Sequence, residues 1–105
     1  MNIIKSAIAA LALTASTGAM AQTYYDMADG YCSVSSTIVF EAAKMRDNGV
    51  FIRTAENVLT NVFGTNEDND THNIVVAVYT DHRDVPPALF RDTFYVNCMK
   101  GMMND

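Results

Sequence analysis

This chain of 105 residues lacks the short sequence patterns that mark the common catalytic classes of protein. Its 5 glycines are scattered, so there is no glycine-rich phosphate-binding loop, and no G-x-S-x-G nucleophile elbow surrounds any serine. Its 2 cysteines lie too far apart for a C-x-x-C redox motif, and 2 histidines supply little material for a hydrolytic triad. The sequence therefore favours a protein that is not an enzyme and that carries no cofactor.

Basic residues are also few. The chain has 7 Lys and Arg against 12 Asp and Glu, a net charge of −5, and no cluster of basic residues. Nucleic acids and anionic lipids are bound chiefly through such clusters, so the sequence excludes both as partners. A basic protein partner is compatible with this charge, because charge attraction raises the rate of association.

The first 21 residues have the composition of a secretory signal peptide. Lys5 supplies the basic start, Ala7–Ala15 is apolar, and Ala19-Met20-Ala21 forms an A-x-A cleavage site, so we predict cleavage before Gln22. The apolar run is too short to span a bilayer, so no membrane insertion is expected after cleavage. The sequence thus predicts a periplasmic or secreted protein, more acidic by one charge once Lys5 is removed.

Export leads to an oxidising compartment, where Cys32 and Cys98 are expected to pair. Residues 22–105 suffice for a single domain, and so small a core gains from a crosslink. A disulfide enclosing most of the mature chain is worth about 4 kcal/mol by the chain-entropy argument. Intermolecular pairing and a redox role remain the alternatives for these two cysteines.

Apolar periodicity predicts helices over about residues 22–47, 51–63, 74–79 and 87–103. The first has an apolar stripe, and Asp47-Asn48-Gly49 is typical of a helix end. The second is expected to bury one face, and Pro86-Pro87 favours the start of the fourth. The stripe of the first helix comprises Cys32, Ser35, Val39, Ala42 and Arg46. The predicted buried face of the second comprises Phe51, Ala55, Val58, Leu59 and Val62.

The segment Ile74–Tyr79 is ambiguous, because a β-branched, continuously apolar run also favours a buried strand. A strand needs a partner for its backbone groups, and no second strand is evident, so we predict a helix there. The preceding residues 65–73 are polar and are predicted to form a solvated linker. Together the segments predict an all-α fold, a small four-helix bundle stapled by Cys32–Cys98.

Metal binding is disfavoured by the spacing of the candidate ligands. His72 and His82 are ten residues apart, whereas two ligands on one helix lie three or four apart. Asp68-x-Asp70-x-His72 resembles the start of a calcium loop, but the twelfth position is Tyr79 where a bidentate carboxylate is needed. We therefore predict no metal site.

Three residues are candidates for contact with a protein partner: Arg46, Tyr24 and Tyr25. Arg46 falls on the apolar stripe, so its guanidinium must either extend to solvent or find a carboxylate. Its simpler role is a favourable interaction of a cation with the C-terminal end of a helix. The two tyrosines precede the densest apolar pattern and are expected to be partly exposed.

Five short features are shared with small uncharacterised exported proteins of proteobacteria. They are the leader, Cys32 in the first helix, Arg46-Asp47-Asn48-Gly49-Val50, Pro87 before the last helix, and Tyr95-Val96-Asn97-Cys98-Met99. The chain resembles these proteins over its whole mature length. The resemblance implies a helical periplasmic domain with one disulfide, and it implies no activity.

Two functions from different classes follow from these observations. The first is a protein-binding role, such as that of an immunity protein or inhibitor that neutralises a toxin or an envelope enzyme. The second is that of a conditional chaperone or envelope stress protein, whose many carboxylates would become protonated in acid and loosen the bundle.

Overall fold

The computed structural model describes the backbone of residues 10–64 and 70–104, and the side chains of residues 21–64 and 70–104. The protein is all-α. Its helices are α1 (Ala10–Asp47), α2 (Ile52–Phe63), α3 (Thr71–Tyr79) and α4 (Pro87–Met103), and the described residues form no strand. The segment Ile74–Tyr79 is therefore helical, as predicted.

The helix α1 organises the bundle, because the other three helices all pack against it and α2 also packs against α3. With 38 residues it is about 57 Å long. It begins at Ala10, upstream of the predicted start at Gln22, because residues 10–21 are rich in alanine and leucine, which are strong helix formers. It ends at Asp47 as predicted. Gly49 has a φ of 80°, and Val50 N–H donates to the carbonyl of Met45 at 2.9 Å, which is typical of a glycine-terminated helix.

The start of α3 differs from the prediction. The polar residues Thr71-His72-Asn73 were expected to belong to a linker, but they form the first turn of the helix. Thr71 is completely buried, and its hydroxyl donates to the carbonyl of Gly64 at 2.8 Å, which ties this turn to the end of α2. A tertiary hydrogen bond thus recruits polar residues that local composition assigns to a loop.

The core lies between the second half of α1 and the helices α2 and α3. Its completely or almost completely buried side chains are Ile38, Val39, Ala42, Ala43, Ala55, Leu59, Val75 and Val78. The predicted buried face of the second helix is wrong in part: Phe51 is 82%, Val62 66% and Val58 42% exposed, while Ala55 and Leu59 are buried. In the described part of the chain this short helix contacts only α1 and α3, so these neighbours cover only part of its apolar face.

The fourth helix runs antiparallel to α1 along its first half. Its start matches the prediction, with Pro86 extended (φ −61°, ψ 147°) and Pro87 in the first turn. Cys98 forms the predicted disulfide with Cys32, and their Cα atoms are 5.8 Å apart. No side chain of α4, all of which the structure describes, is completely buried. The disulfide therefore joins a partly exposed helix to the buried face of α1.

Candidate functional site

Arg46 lies in the last turn of α1, and its guanidinium reaches the turn that joins α3 to α4. Nη1 donates to the carbonyl oxygens of Val78 and His82 at 3.2 and 3.0 Å, and Nη2 donates to that of Val85 at 2.6 Å. Asp47 Oδ1 lies 2.9 Å from Nη2. Only 9% of the Arg46 side chain is exposed, so the group is committed to contacts within the chain.

Those contacts satisfy carbonyls at the end of α3 and in the turn, of which that of His82 also accepts the N–H of Val85 at 3.1 Å. The last carbonyls of a helix and those of the following turn need external donors, and a guanidinium supplies five N–H groups together with a positive charge. Arg46 thereby fastens the α3–α4 turn to the end of α1. The sequence placed Arg46 on the buried stripe, but its main acceptors are distant carbonyls that no local pattern reveals. A role for Arg46 in binding a partner stays a prediction, and the proposal below does not use it.

A second set of contacts joins the first half of α1 to the end of α4. The Tyr95 hydroxyl donates to the carboxylate of Asp29, and the Tyr24 hydroxyl donates to the carbonyl of Met102 at 2.6 Å. Sδ of Met102 lies 3.6 Å from Sγ of Cys32. These polar contacts flank the disulfide and fix the register of the two antiparallel helices.

Two tyrosines of the bundle have shifted pKa values. The hydrogen bond to Asp29, with smaller contributions from lost hydration and the Asp29 charge, raises the pKa of Tyr95 to about 12. The pKa of Tyr79 is also raised, because burial outweighs the opposite effect of the Arg46 charge. The Tyr79 hydroxyl donates to the carbonyl of Val50 at 2.8 Å, so both hydroxyls are used to join separate segments.

Tyr24 and Tyr25 are 46% and 44% exposed, in agreement with the expectation that they are partly exposed. Tyr25 lies on one side of α4, where it borders a shallow depression of about 370 Å³ lined also by Val96, Met99 and Met103. We call these four residues the methionine face. Lys100 also lines this depression.

On the opposite side of α4 lies a larger groove of about 620 Å³ between this helix and Tyr31 of α1. Its lining residues include Leu89 and Phe94 of α4 and His82 of the α3–α4 turn. The rings of His82 and Phe90 meet edge to face at 5.3 Å between centroids. The groove is therefore apolar, and its lining includes neither a carboxylate nor a Lys or Arg side chain.

The histidines and acidic residues considered as metal ligands lie apart. In the described ranges, no three side chains of His, Cys, Asp or Glu converge on a common point. His72 lies in α3 rather than in the predicted linker, and its Nδ1 is 2.7 Å from Oε2 of Glu56 in α2. Asp68 lies outside the described residues. Within those ranges, none of the helices combines the length and the hydropathy that crossing a bilayer requires.

The architecture defines the class of protein: a small, disulfide-stapled four-helix protein with a long central helix and two apolar surfaces beside its last helix. Comparison of the chain with protein-family models, with curated proteins and with solved structures found no match. The functional argument therefore depends on the surfaces themselves.

Proposed function

We propose that this protein is exported, is not an enzyme, and acts by binding another protein through the methionine face. The single observation that carries the proposal is the gathering of Tyr25, Val96, Met99 and Met103 on one exposed surface. Tyr25 is 44%, Val96 49% and Met103 41% exposed. Exposed apolar side chains gathered on one surface are a feature of protein-binding sites.

The chemistry of the methionine face suits a protein partner. Methionine side chains are flexible and polarizable, so they adapt to the contours of another surface. Tyrosine is enriched at the centres of protein interfaces, because its ring gives a large contact area and its hydroxyl a hydrogen bond. Tyr25, rigid and placed beside two methionines, is the residue we expect to contribute most to binding.

The partner we propose is a basic protein met after export, which the binding neutralises as an immunity protein or inhibitor does. The predicted signal peptide and the Cys32–Cys98 disulfide support an extracytoplasmic site of action. The acidic net charge, with Asp26 and Asp29 close to Tyr25 in sequence, favours a basic surface on the partner. Charge attraction of this kind weakens as salt is added.

Affinity capture from the native envelope tests the proposal, with the oxidised protein as bait. We expect one stoichiometric partner bound to the natural protein, with less recovered as salt increases and little recovered by Tyr25→Ala. The matched control is Phe51→Ala, which removes another exposed aromatic ring far from α4 in sequence and is expected to capture the partner normally. Capture of no enriched protein, or equal capture by both variants, contradicts the proposal.

A second candidate function is an envelope stress protein that opens in acid. It is favoured by the shallow position of α4, in which no described side chain is completely buried, so we expect acid to loosen this helix before the main core while the disulfide keeps it tethered to α1. Binding of a dye specific for exposed apolar surface, followed from neutral to acid pH, distinguishes the two. Dye binding that does not change with pH eliminates the stress function and leaves the proposed binding function unaffected.

A further inference from the structure

Signal cleavage creates a new chain end inside α1. The predicted signal peptide ends at Ala21, so cleavage there makes Gln22 the first residue of the exported chain. In the structure Gln22 lies within α1 and is exposed. The helix therefore gains a free end that stands directly before Thr23, Tyr24 and Tyr25, and the chemistry of Gln22 determines the state of that end.

The residues next to this end have structural and proposed binding roles. The Tyr24 hydroxyl donates to the carbonyl of Met102 at 2.6 Å, and Tyr25 belongs to the methionine face. Proteolysis concentrates at chain ends, and removal of residues 22–24 would break the contact with Met102. Removal of one more residue would take away Tyr25, which we expect to contribute most to binding. Protection of this end therefore preserves both contacts.

The side chain of Gln22 is available for reaction. In the described part of the chain, the polar contact of its carboxamide is with Asp26, to whose Oδ1 the Nε2 group donates at 3.1 Å. Both residues are exposed, so water replaces this hydrogen bond when it breaks. The fold thus does not hold the carboxamide in place, and the group is free to turn back to the amine of its own residue.

Once Ala21 has been removed, the amine of Gln22 is able to close a five-membered ring. An α-amine has a pKa of about 8, so part of it is unprotonated and nucleophilic near neutral pH. The nitrogen attacks Cδ of the same residue, the N–Cδ bond forms and the Cδ–Nε2 bond breaks. One proton passes from the amine to Nε2, which leaves as ammonia. The product is an uncharged lactam, pyroglutamate, and no oxidant or second reactant is consumed.

The position of Gln22 at the start of a helix favours the cyclised form. The N-terminal end of a helix carries a partial positive charge, so an ammonium group is unfavourable there. Ring closure removes this charge, as other modifications of the chain terminus do. The lactam therefore suits the start of α1 better than the free amine does.

We propose that Gln22 cyclises to pyroglutamate after signal cleavage and that this block protects the start of α1 from aminopeptidases. Aminopeptidases act on a free α-amine, which the lactam lacks. The inference rests on the export that we propose, but it does not depend on the identity of a binding partner.

Mass spectrometric sequencing of the amino-terminal peptide of the exported, disulfide-bonded protein tests this inference. We expect a peptide that begins at residue 22 and is lighter by one molecule of ammonia. An isotope-labelled synthetic peptide with the same first residues, added at lysis, measures ring closure during preparation. The matched control is Gln22→Asn, whose amide is one methylene shorter and would have to close a strained four-membered ring, so this variant is expected to keep its free amine.

Treatment of both proteins with a broad-specificity aminopeptidase tests the protection. The natural protein is expected to keep Tyr24 and Tyr25, whereas Gln22→Asn is expected to lose residues from its start. A chain that begins with an uncyclised Gln22 overturns the inference and leaves the proposed export intact, whereas a chain that begins at Met1 overturns both. Cyclisation no greater than that of the added peptide, or equal trimming of the two proteins, also overturns the inference.

Discussion

Replacing Arg46 by methionine is the sharpest test of how the α3–α4 turn is held. The variant keeps an apolar stem of similar length along the end of α1, but it removes the guanidinium donors that reach the turn. In the natural protein those donors serve the carbonyls of Val78, His82 and Val85. The expected result is a large loss in the free energy of unfolding with no change in helix content at neutral pH.

The magnitude follows from the surroundings of the three carbonyls. The hydrogen bonds to Val78 and Val85 are partly buried, whereas the one to His82 is exposed and water replaces the lost donor there. A buried carbonyl left without a donor costs about 1–3 kcal/mol, so two give about 2–6 kcal/mol. The free energy of unfolding of a small domain is about 5–15 kcal/mol in total, so this substitution alone removes a large fraction of the stability.

Urea unfolding followed by circular dichroism, with the disulfide intact, measures this loss. The control is Arg53→Met, which removes the same charge from an exposed position of α2 and is expected to cost less than about 0.5 kcal/mol. Arg46→Lys is expected to fall between the two, because one ammonium group cannot reach three carbonyls at once. An Arg46→Met variant within about 0.5 kcal/mol of its control would refute the role we assign to the guanidinium.

Three further outcomes follow from the same contacts. In alkaline titration, Tyr95 is expected to ionise near pH 12. The Tyr95→Phe variant should lose this ionisation step, and Asp29→Asn should lower the pKa of Tyr95. A step near pH 12 that neither variant affects contradicts the assignment. Because the pKa of Tyr95 in the folded protein lies above its ordinary value of 10, its hydrogen bond to Asp29 stabilises the fold fully below pH 10. This stabilisation is lost as the pH rises towards 12. Replacing Cys32 and Cys98 by serine should lower the free energy of unfolding by about 4 kcal/mol in urea. Amino-terminal sequencing of the exported protein should begin at Gln22, and a start at Met1 excludes cleavage.

The helix ends were predictable wherever local chemistry determines them. Gly49 and Gly64 have φ of 80° and 88°, which L-residues with side chains rarely adopt, and each follows the end of a helix. Pro87 stands in the first turn of α4 because its missing N–H needs no acceptor there. The disulfide was predictable for another reason: the chain has 2 cysteines, so within one copy each has one possible partner.

Tertiary contacts defeated the prediction elsewhere. Thr71 belongs to α3 because its hydroxyl reaches Gly64, and no pattern in the linker indicates that bond. Phe51 and Val62 satisfy the apolar periodicity but are exposed, because periodicity finds an apolar face without showing how much of it a neighbour covers. Of the candidate site, exposure of Tyr24 and Tyr25 was predictable, but the joining of Tyr25 to Met99 and Met103 depends on the antiparallel register of α4.

The shallow seating of α4 also affects how this protein can change over evolutionary time. The helix is attached near its two ends, by the Arg46 contacts to the turn before it and by the disulfide at Cys98. Phe90 and Phe94 pack against the main core, but none of its described side chains is completely buried. Substitutions on its outer side, at Leu89 or Val96, therefore carry little penalty for folding. Such a helix is free to diversify, so related chains with the same scaffold can acquire different binding preferences while the rest of the bundle stays constant.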